Sequence, residues 1–234
     1  MDFQCAILNK TNPPPNWYGM PGHNTHATYQ PTPPPVYQHM RPQIYSVSKN
    51  TGFLSLEKNI IKNINNDFIS YVKSVDDEDP IIDHKAIRGY GGTAIFWKKD
   101  LEKSINIMPD GNNRIQVITI NSSPLKTCLV NVYMPSLQVA GDLDYKDTLD
   151  QISEIIEKYK DSYQTIICGD MNASLHRDNR RRDQNFKEFM SNNNLSLANR
   201  YPKAPTFFHH NGKYTSQIDY IMFPETTTGI QTPI

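Results

Sequence analysis

The 234-residue chain has few cysteines, no apolar run long enough to span a membrane, and no net charge. Its three cysteines, Cys5, Cys128 and Cys168, form no closely spaced pair, which argues against a disulfide framework. Two of them fall inside apolar, strand-like runs, so all three read as reduced core thiols of an intracellular protein, nuclear or cytoplasmic. The N-terminus begins Met-Asp-Phe-Gln and lacks a basic segment followed by a long apolar one, so no secretory signal is visible. Lys+Arg and Asp+Glu balance at 24 each, and the chain therefore lacks the bulk cationic field that supplies most non-specific affinity for nucleic acid. The apolar fraction of 37% is enough for a core.

Proline divides the chain. Nine of the 17 prolines precede residue 50, in runs such as Pro13-Pro14-Pro15 and Pro33-Pro34-Pro35 set among Tyr, His, Gln and Asn. Such a stretch sustains neither a helix nor a strand ladder, so residues 1–50 are expected to form a disordered or polyproline arm and residues 51–234 the folded domain. Pro33-Pro34-Pro35-Val36-Tyr37 would suit an SH3- or WW-type partner.

Beyond the arm, Leu56, Ile60, Ile64, Phe68 and Val72 recur every fourth residue, which predicts an amphipathic helix over about 54–73. Strand-like runs follow at 93–97, 105–108, 115–120 and 127–133. Leu149, Ile152, Ile155, Ile156 and Tyr159 mark a second helix, and a strand is expected at 165–168. Residues 183–193 form a shorter helix with Phe186, Phe189 and Met190 on its apolar face, and a last strand pair is expected at 206–209 and 217–222.

The most informative stretch is Cys168-Gly169-Asp170-Met171-Asn172-Ala173, entered from Thr165-Ile166-Ile167. A β-branched run closed by glycine delivers a carboxylate and a carboxamide, two positions apart, to the C-terminal edge of a strand, where α/β active sites collect. Aspartate can hold a metal or take a proton, and the Asn172 amide can bond a phosphoryl oxygen without adding charge. Two more strand-end segments, Asn131-Val132-Tyr133-Met134-Pro135 and Ser216-Gln217-Ile218-Asp219-Tyr220-Ile221, flank it in sequence.

In that order and spacing the three segments resemble the endonuclease/exonuclease/phosphatase superfamily. The glycine-rich stretch Arg88-Gly89-Tyr90-Gly91-Gly92-Thr93-Ala94-Ile95 resembles the endonuclease domains of LINE-type, non-LTR retrotransposons. The resemblance implies an α+β fold, a four-layered α/β/β/α sandwich of two packed mixed sheets flanked by helices. It also implies a phosphodiesterase acting on DNA or RNA with Mg²⁺ or Mn²⁺. Carried over by motif, Asp170, Asn172, Tyr133 and Asp219 are the catalytic candidates, and Asp170 is the metal ligand. Asn131 and Ser216 belong to the matched motifs as substrate contacts. Arg177, Arg180 and Arg181 follow the Gly-Asp-Met-Asn turn where a substrate backbone would pass.

Departures from the family pattern are equally specific. Its metal-binding glutamate is expected around Val47-Ser48-Lys49-Asn50-Thr51-Gly52, a stretch without an acid, and Glu57 is the nearest candidate. No histidine follows Asp219 to pair with it, and His209 and His210 precede it. The chain is therefore expected to be a truncated endonuclease domain with weakened or absent activity. The alternative is a catalytically silent relic that binds nucleic acid or protein.

Overall fold

The computed structural model describes residues 3–5, 44–48, 58–63, 65–76, 92–137, 141–197, 203–209 and 212–225. The proline runs of the arm, Glu57, His210 and residues 88–91 lie outside them. Two sheets pack face to face. The first has four strands in the order β1 (Phe3–Cys5), β2 (Ile44–Ser48), β4 (Thr93–Lys98), β3 (Phe68–Lys73). The second has six, in the order β5 (Ile105–Asn112), β6 (Ile115–Ile120), β7 (Thr127–Tyr133), β8 (Gln164–Asp170), β12 (Asp219–Pro224), β9 (Leu195–Leu197). β10 (Phe207–Phe208) and β11 (Thr215–Ser216) form a separate hairpin. Helix α1 (Lys58–Lys62) packs on the first sheet, while α2 (Asp142–Tyr159) and α3 (Arg181–Asn192) pack on the second. This is the expected α/β/β/α sandwich.

Alternation along the strands assigns each side chain to a layer. Ile118, Ile120, Leu129, Ile166 and Cys168 meet Ile44, Ile95 and Trp97 between the sheets. Their sequence neighbours Val117, Val130, Val132, Ile167 and Tyr220 face outward onto the helices. On that side α2 buries Tyr145, Leu149, Ile152, Ile155 and Tyr159, the stripe that its periodicity indicates, and α3 adds Phe186, Phe189 and Met190. Each such side chain contributes about 1.5–3 kcal/mol by leaving water.

Two sequence expectations differ from the structure. The helix expected over 54–73 is one short turn, Lys58–Lys62, followed by a strand, Phe68–Lys73, that pairs antiparallel with β4 along its length. The intervening Asn-rich segment breaks the helix. The Asn63 side chain bonds back to the Asn59 carbonyl, and the Asn65 side chain accepts the Asp67 amide in an Asx turn. A spacing of four residues also places side chains on one face of a strand, so Phe68 and Val72 satisfied either reading. Val72 indeed packs against Ile61 of α1.

The second difference concerns the boundary at residue 50. Both β1 and β2 fall in the segment read as an arm, and β2 pairs antiparallel with β4 from Ile44↔Trp97 to Ser48↔Thr93. Ile44 and Ser46 are buried. The folded unit therefore begins before residue 50.

One glycine is required by geometry. Gly169 has φ +139°, and a Cβ there would sit 1.9 Å from the Val132 carbonyl oxygen of β7. The Gly169→Ala variant is accordingly expected to lose about 3 kcal/mol or more of stability, measured by urea denaturation.

Candidate functional site

The strand register builds the site. Tyr133 of β7 stands opposite Asp170 of β8, which stands opposite Asp219 of β12, in one row across three adjacent strands. All three belong to the inter-sheet face, since they alternate in step with Leu129, Cys168 and Ile221. They lie at one end of the sandwich and are almost completely buried, with Asp170 only 2% exposed and Asp219 5%. Asn172 follows the row at φ 48°, a left-handed conformation that asparagine tolerates. Its backbone N–H donates to Asp170 Oδ1 (2.8 Å) and its side-chain Nδ2 to the Met134 carbonyl (2.7 Å). The turn after β8 is thereby fixed to the end of β7, and the structure brings together all four residues singled out by motif.

Burial pushes the Asp170 carboxyl well above its ordinary range, and the neighbouring Asp219 charge adds to the rise. Burial likewise pushes Asp219 up to about 7, against an opposing hydrogen bond with the Thr206 side chain. Thr206 also fixes the backbone here, its Oγ1 accepting the amides of Ile218 (3.0 Å) and Asp219 (3.2 Å). Two carboxyls in direct cross-strand register, both shifted toward the neutral form, act as a pair that retains a proton near neutrality.

The remaining candidates occupy different positions. Asn131, expected at the substrate, is fully buried between the sheets. Ser46 Oγ donates to its Oδ1 (2.5 Å), while its Nδ2 donates to Gln116 Oε1 (3.1 Å) and the Ala94 carbonyl (3.3 Å). It joins the two sheets and cannot reach a ligand. Arg177 and Ser216 are bonded to each other, Arg177 Nη1 donating to Ser216 Oγ (2.8 Å). Arg177 also grips the fully buried Asp183 through Nε and Nη2, both at 3.0 Å. Asp183 in turn accepts the Ser174 amide (2.7 Å), so this cluster clamps the loop after β8 to α3. All three of these residues thus bond to protein partners that hold the frame around the row.

Of the Arg run, only Arg180 and Arg181 are exposed. Arg182 is buried, bonded to Asp142 Oδ1 (3.0 Å) and to the carbonyls of Pro135 (2.6 Å) and Gly141 (3.0 Å). His209 closes the β10–β11 hairpin, its ring against Phe207 and Tyr214.

Sequence reading missed His176, whose Nε2 lies 2.9 Å from Gln217 Oε1, two residues before Asp219. It missed Arg114 as well, which shares the row of Tyr133. No motif marks either residue, although the Asp110-Gly111-Asn112 turn signals the hairpin that carries Arg114.

A hard divalent cation takes oxygen donors, and Asp170, Asp219 and Asn172 are of that kind. Among the described residues, however, no group of three His, Cys, Asp or Glu side chains converges, and the two carboxyls that do meet favour a proton. The described residues alone do not complete a site for a resident ion.

The α/β/β/α sandwich, with its carboxylate row at the strand ends of the second sheet, is similar in fold to solved structures of the endonuclease/exonuclease/phosphatase kind. Residues 127–231 match the family described as endonuclease-reverse transcriptase. Among solved structures, the endonuclease domain of TRAS1, a telomere-specific non-LTR retrotransposon, is 17% identical. Its match covers 79% of this chain and 74% of that one at a TM-score of 0.57. An AP endonuclease from Leishmania major is 15% identical, covering 79% and 70% at a TM-score of 0.58. An endonuclease/exonuclease/phosphatase family protein from Bacteroides thetaiotaomicron is 15% identical, covering 80% and 71% at a TM-score of 0.54. At these identities the likeness establishes the fold. No curated protein matches the chain. Among the described residues no helix is long and apolar enough to cross a membrane.

The carboxyl pair has a consequence for stability. With its folded value raised above the unfolded aspartate value of about 3.9, Asp219 favours folding fully below that pH and loses its contribution as pH rises through about 7. In EDTA, stability is expected to fall between about pH 4 and 7, on the order of 4 kcal/mol from Asp219. Asp219→Asn should flatten this dependence in thermal melts across that range, and an unchanged slope would contradict the assignment.

Proposed function

We propose that the chain is a retroelement-type endonuclease domain that takes the DNA backbone at the Tyr133–Asp170–Asp219 row, and that its cleavage chemistry is feeble. The observation that carries this reading is the row itself: two carboxyls in cross-strand register, buried and biased toward protonation, with no third acid or histidine among the described residues to complete the set.

Within this reading Asp170 and Asn172 orient a phosphoryl group, Asp170 through its carboxyl and Asn172 through the second N–H of the side-chain nitrogen whose first donates to the Met134 carbonyl. Tyr133 closes the site on the β7 side. Asp219 shares a proton with Asp170. Arg180 and Arg181, exposed at the start of α3, steer the backbone electrostatically. Asp170 remains the residue proposed to meet Mg²⁺ or Mn²⁺ brought in with substrate phosphate, and the proline-rich segment remains a proposed ligand for an SH3- or WW-type module.

Phosphodiester hydrolysis relies on charge stabilisation and positioned proton transfer, and a pair that holds its proton supplies neither at full strength. In a plasmid-nicking assay with Mg²⁺ or Mn²⁺, the wild-type chain is expected to nick at or near background and Asp170→Ala to equal it. Robust turnover abolished by Asp170→Ala would contradict the weak-cleavage reading and establish an active enzyme.

A further inference from the structure

We propose that Arg114 is the phosphate anchor of this site, holding a nucleic-acid phosphate beside the Asp170–Asp219 pair. The inference rests on the DNA-backbone reading above and adds a residue that no motif marks.

Arg114 extends the row by one strand. The pairing of β6 with β7 runs to Ile115↔Val132, and one step further the Tyr133 amide donates to the Arg114 carbonyl (2.9 Å), continuing the ladder. Even-numbered residues of β6 face the opposite sheet, as Gln116, Ile118 and Ile120 do, and Arg114 keeps this phase. Its guanidinium lies 5.7 Å from the Tyr133 ring centroid. The row therefore reads Arg114, Tyr133, Asp170, Asp219 across four adjacent strands. With strands about 4.8 Å apart, Arg114 stands about 10 Å from Asp170 at the backbone, within a long side chain's reach of a phosphate next to the pair.

The cation has little else to bind. Its protein contacts are the Tyr133 ring and a long 3.5 Å approach of Nη1 to the Tyr133 carbonyl. Among the described residues no carboxylate lies within ion-pair distance of it. Arg177 and Arg182, by contrast, are each bonded to an aspartate. Arg114 is also partly buried, and burial lowers its pKa. The more distant Asp144 charge partly offsets that burial, but the guanidinium has no bonded anion among the described residues, and a phosphodiester offers the paired oxygens that its fork can bond.

Its backbone is held for the purpose. The Arg114 amide donates to Asn112 Oδ1 (2.8 Å), and the Gly92 amide donates to the Asn113 carbonyl (3.2 Å). Lys73 Nζ, reaching from the other sheet, bonds the carbonyls of Asp110 (3.2 Å) and Ile115 (3.1 Å) on either side of the turn. A cation on a fixed hairpin loses little freedom on binding.

The test is fluorescence anisotropy of a short labelled DNA duplex with the full chain in EDTA, titrated at several NaCl concentrations. Arg114→Ala is expected to weaken binding about tenfold and to lower the slope of log affinity against log salt by about one. Arg114→Lys should keep the slope and recover part of the affinity, since it retains the charge without the fork. Thermal melts confirm folding; where Arg114→Ala does not fold, Arg114→Gln is measured in its place, with the same expected losses. Wild-type affinity and slope in the folded neutral variant would overturn the role of Arg114 while leaving the DNA-backbone reading intact. Failure of the wild-type chain to bind the duplex at low salt would overturn both.

Discussion

The hydrogen-bonded ladder that joins β7, β8 and β12 is the constraint on which the site depends. It sets Tyr133, Asp170 and Asp219 side by side at a spacing fixed by backbone geometry, not by side-chain choice. Burial of both carboxyls, with the Asp219 charge adding to the effect on Asp170, shifts them toward the protonated form. The ladder itself depends on Gly169, where the backbone of β8 comes so close to Val132 that no side chain fits. The residue before the first carboxyl thus determines whether that carboxyl reaches its place.

A second constraint acts between the sheets. Asn131, Ser46 and Gln116 form a buried polar network, completed by the Gln116 Nε2 bond to the Tyr71 carbonyl (3.0 Å). Leaving a buried polar group without its partner costs about 1–3 kcal/mol, so the network penalises any sliding of one sheet over the other. It lies one step down the strands from the site row and fixes the frame behind it. Arg182 does similar work on the outer side, tying the loop after β7 to α2 and α3 while its guanidinium lies 5.0 Å from the Tyr145 ring centroid. Side chains with polar chemistry near a site are therefore not all contacts for a ligand. Asn131, Arg177 and Ser216 each bond to the scaffold.

Much of the second sheet was legible in the sequence because its strands carry unambiguous apolar runs. The extents expected for 115–120 and 127–133 coincide with β6 and β7, and the stripe from Leu149 to Tyr159 lies within α2. The first sheet was less legible. Phe68 and Val72 fit a helix or a strand equally, and the decision came from Asn65 and from pairing with β4, a tertiary partner that local spacing does not reveal. The strand Ile44–Ser48 was obscured by the prolines before it. Motifs located Asp170, Asn172, Tyr133 and Asp219 because strand ends were recognisable. They did not mark Arg114, because its membership of the row follows from register across β6 and β7.

The site turns on a proton that we infer Asp170 and Asp219 to share at the end of the sandwich. Its most direct measurement is a ¹³C NMR titration of the aspartate carboxyl carbons in the metal-free chain, with Asp170→Asn and Asp219→Asn used for assignment. The account predicts that both resonances titrate well above the ordinary aspartate range, that one of the two steps lies near or above neutrality, and that each substitution alters the titration of the remaining partner. Two independent titrations near pH 4, each unaffected by the other substitution, would contradict it.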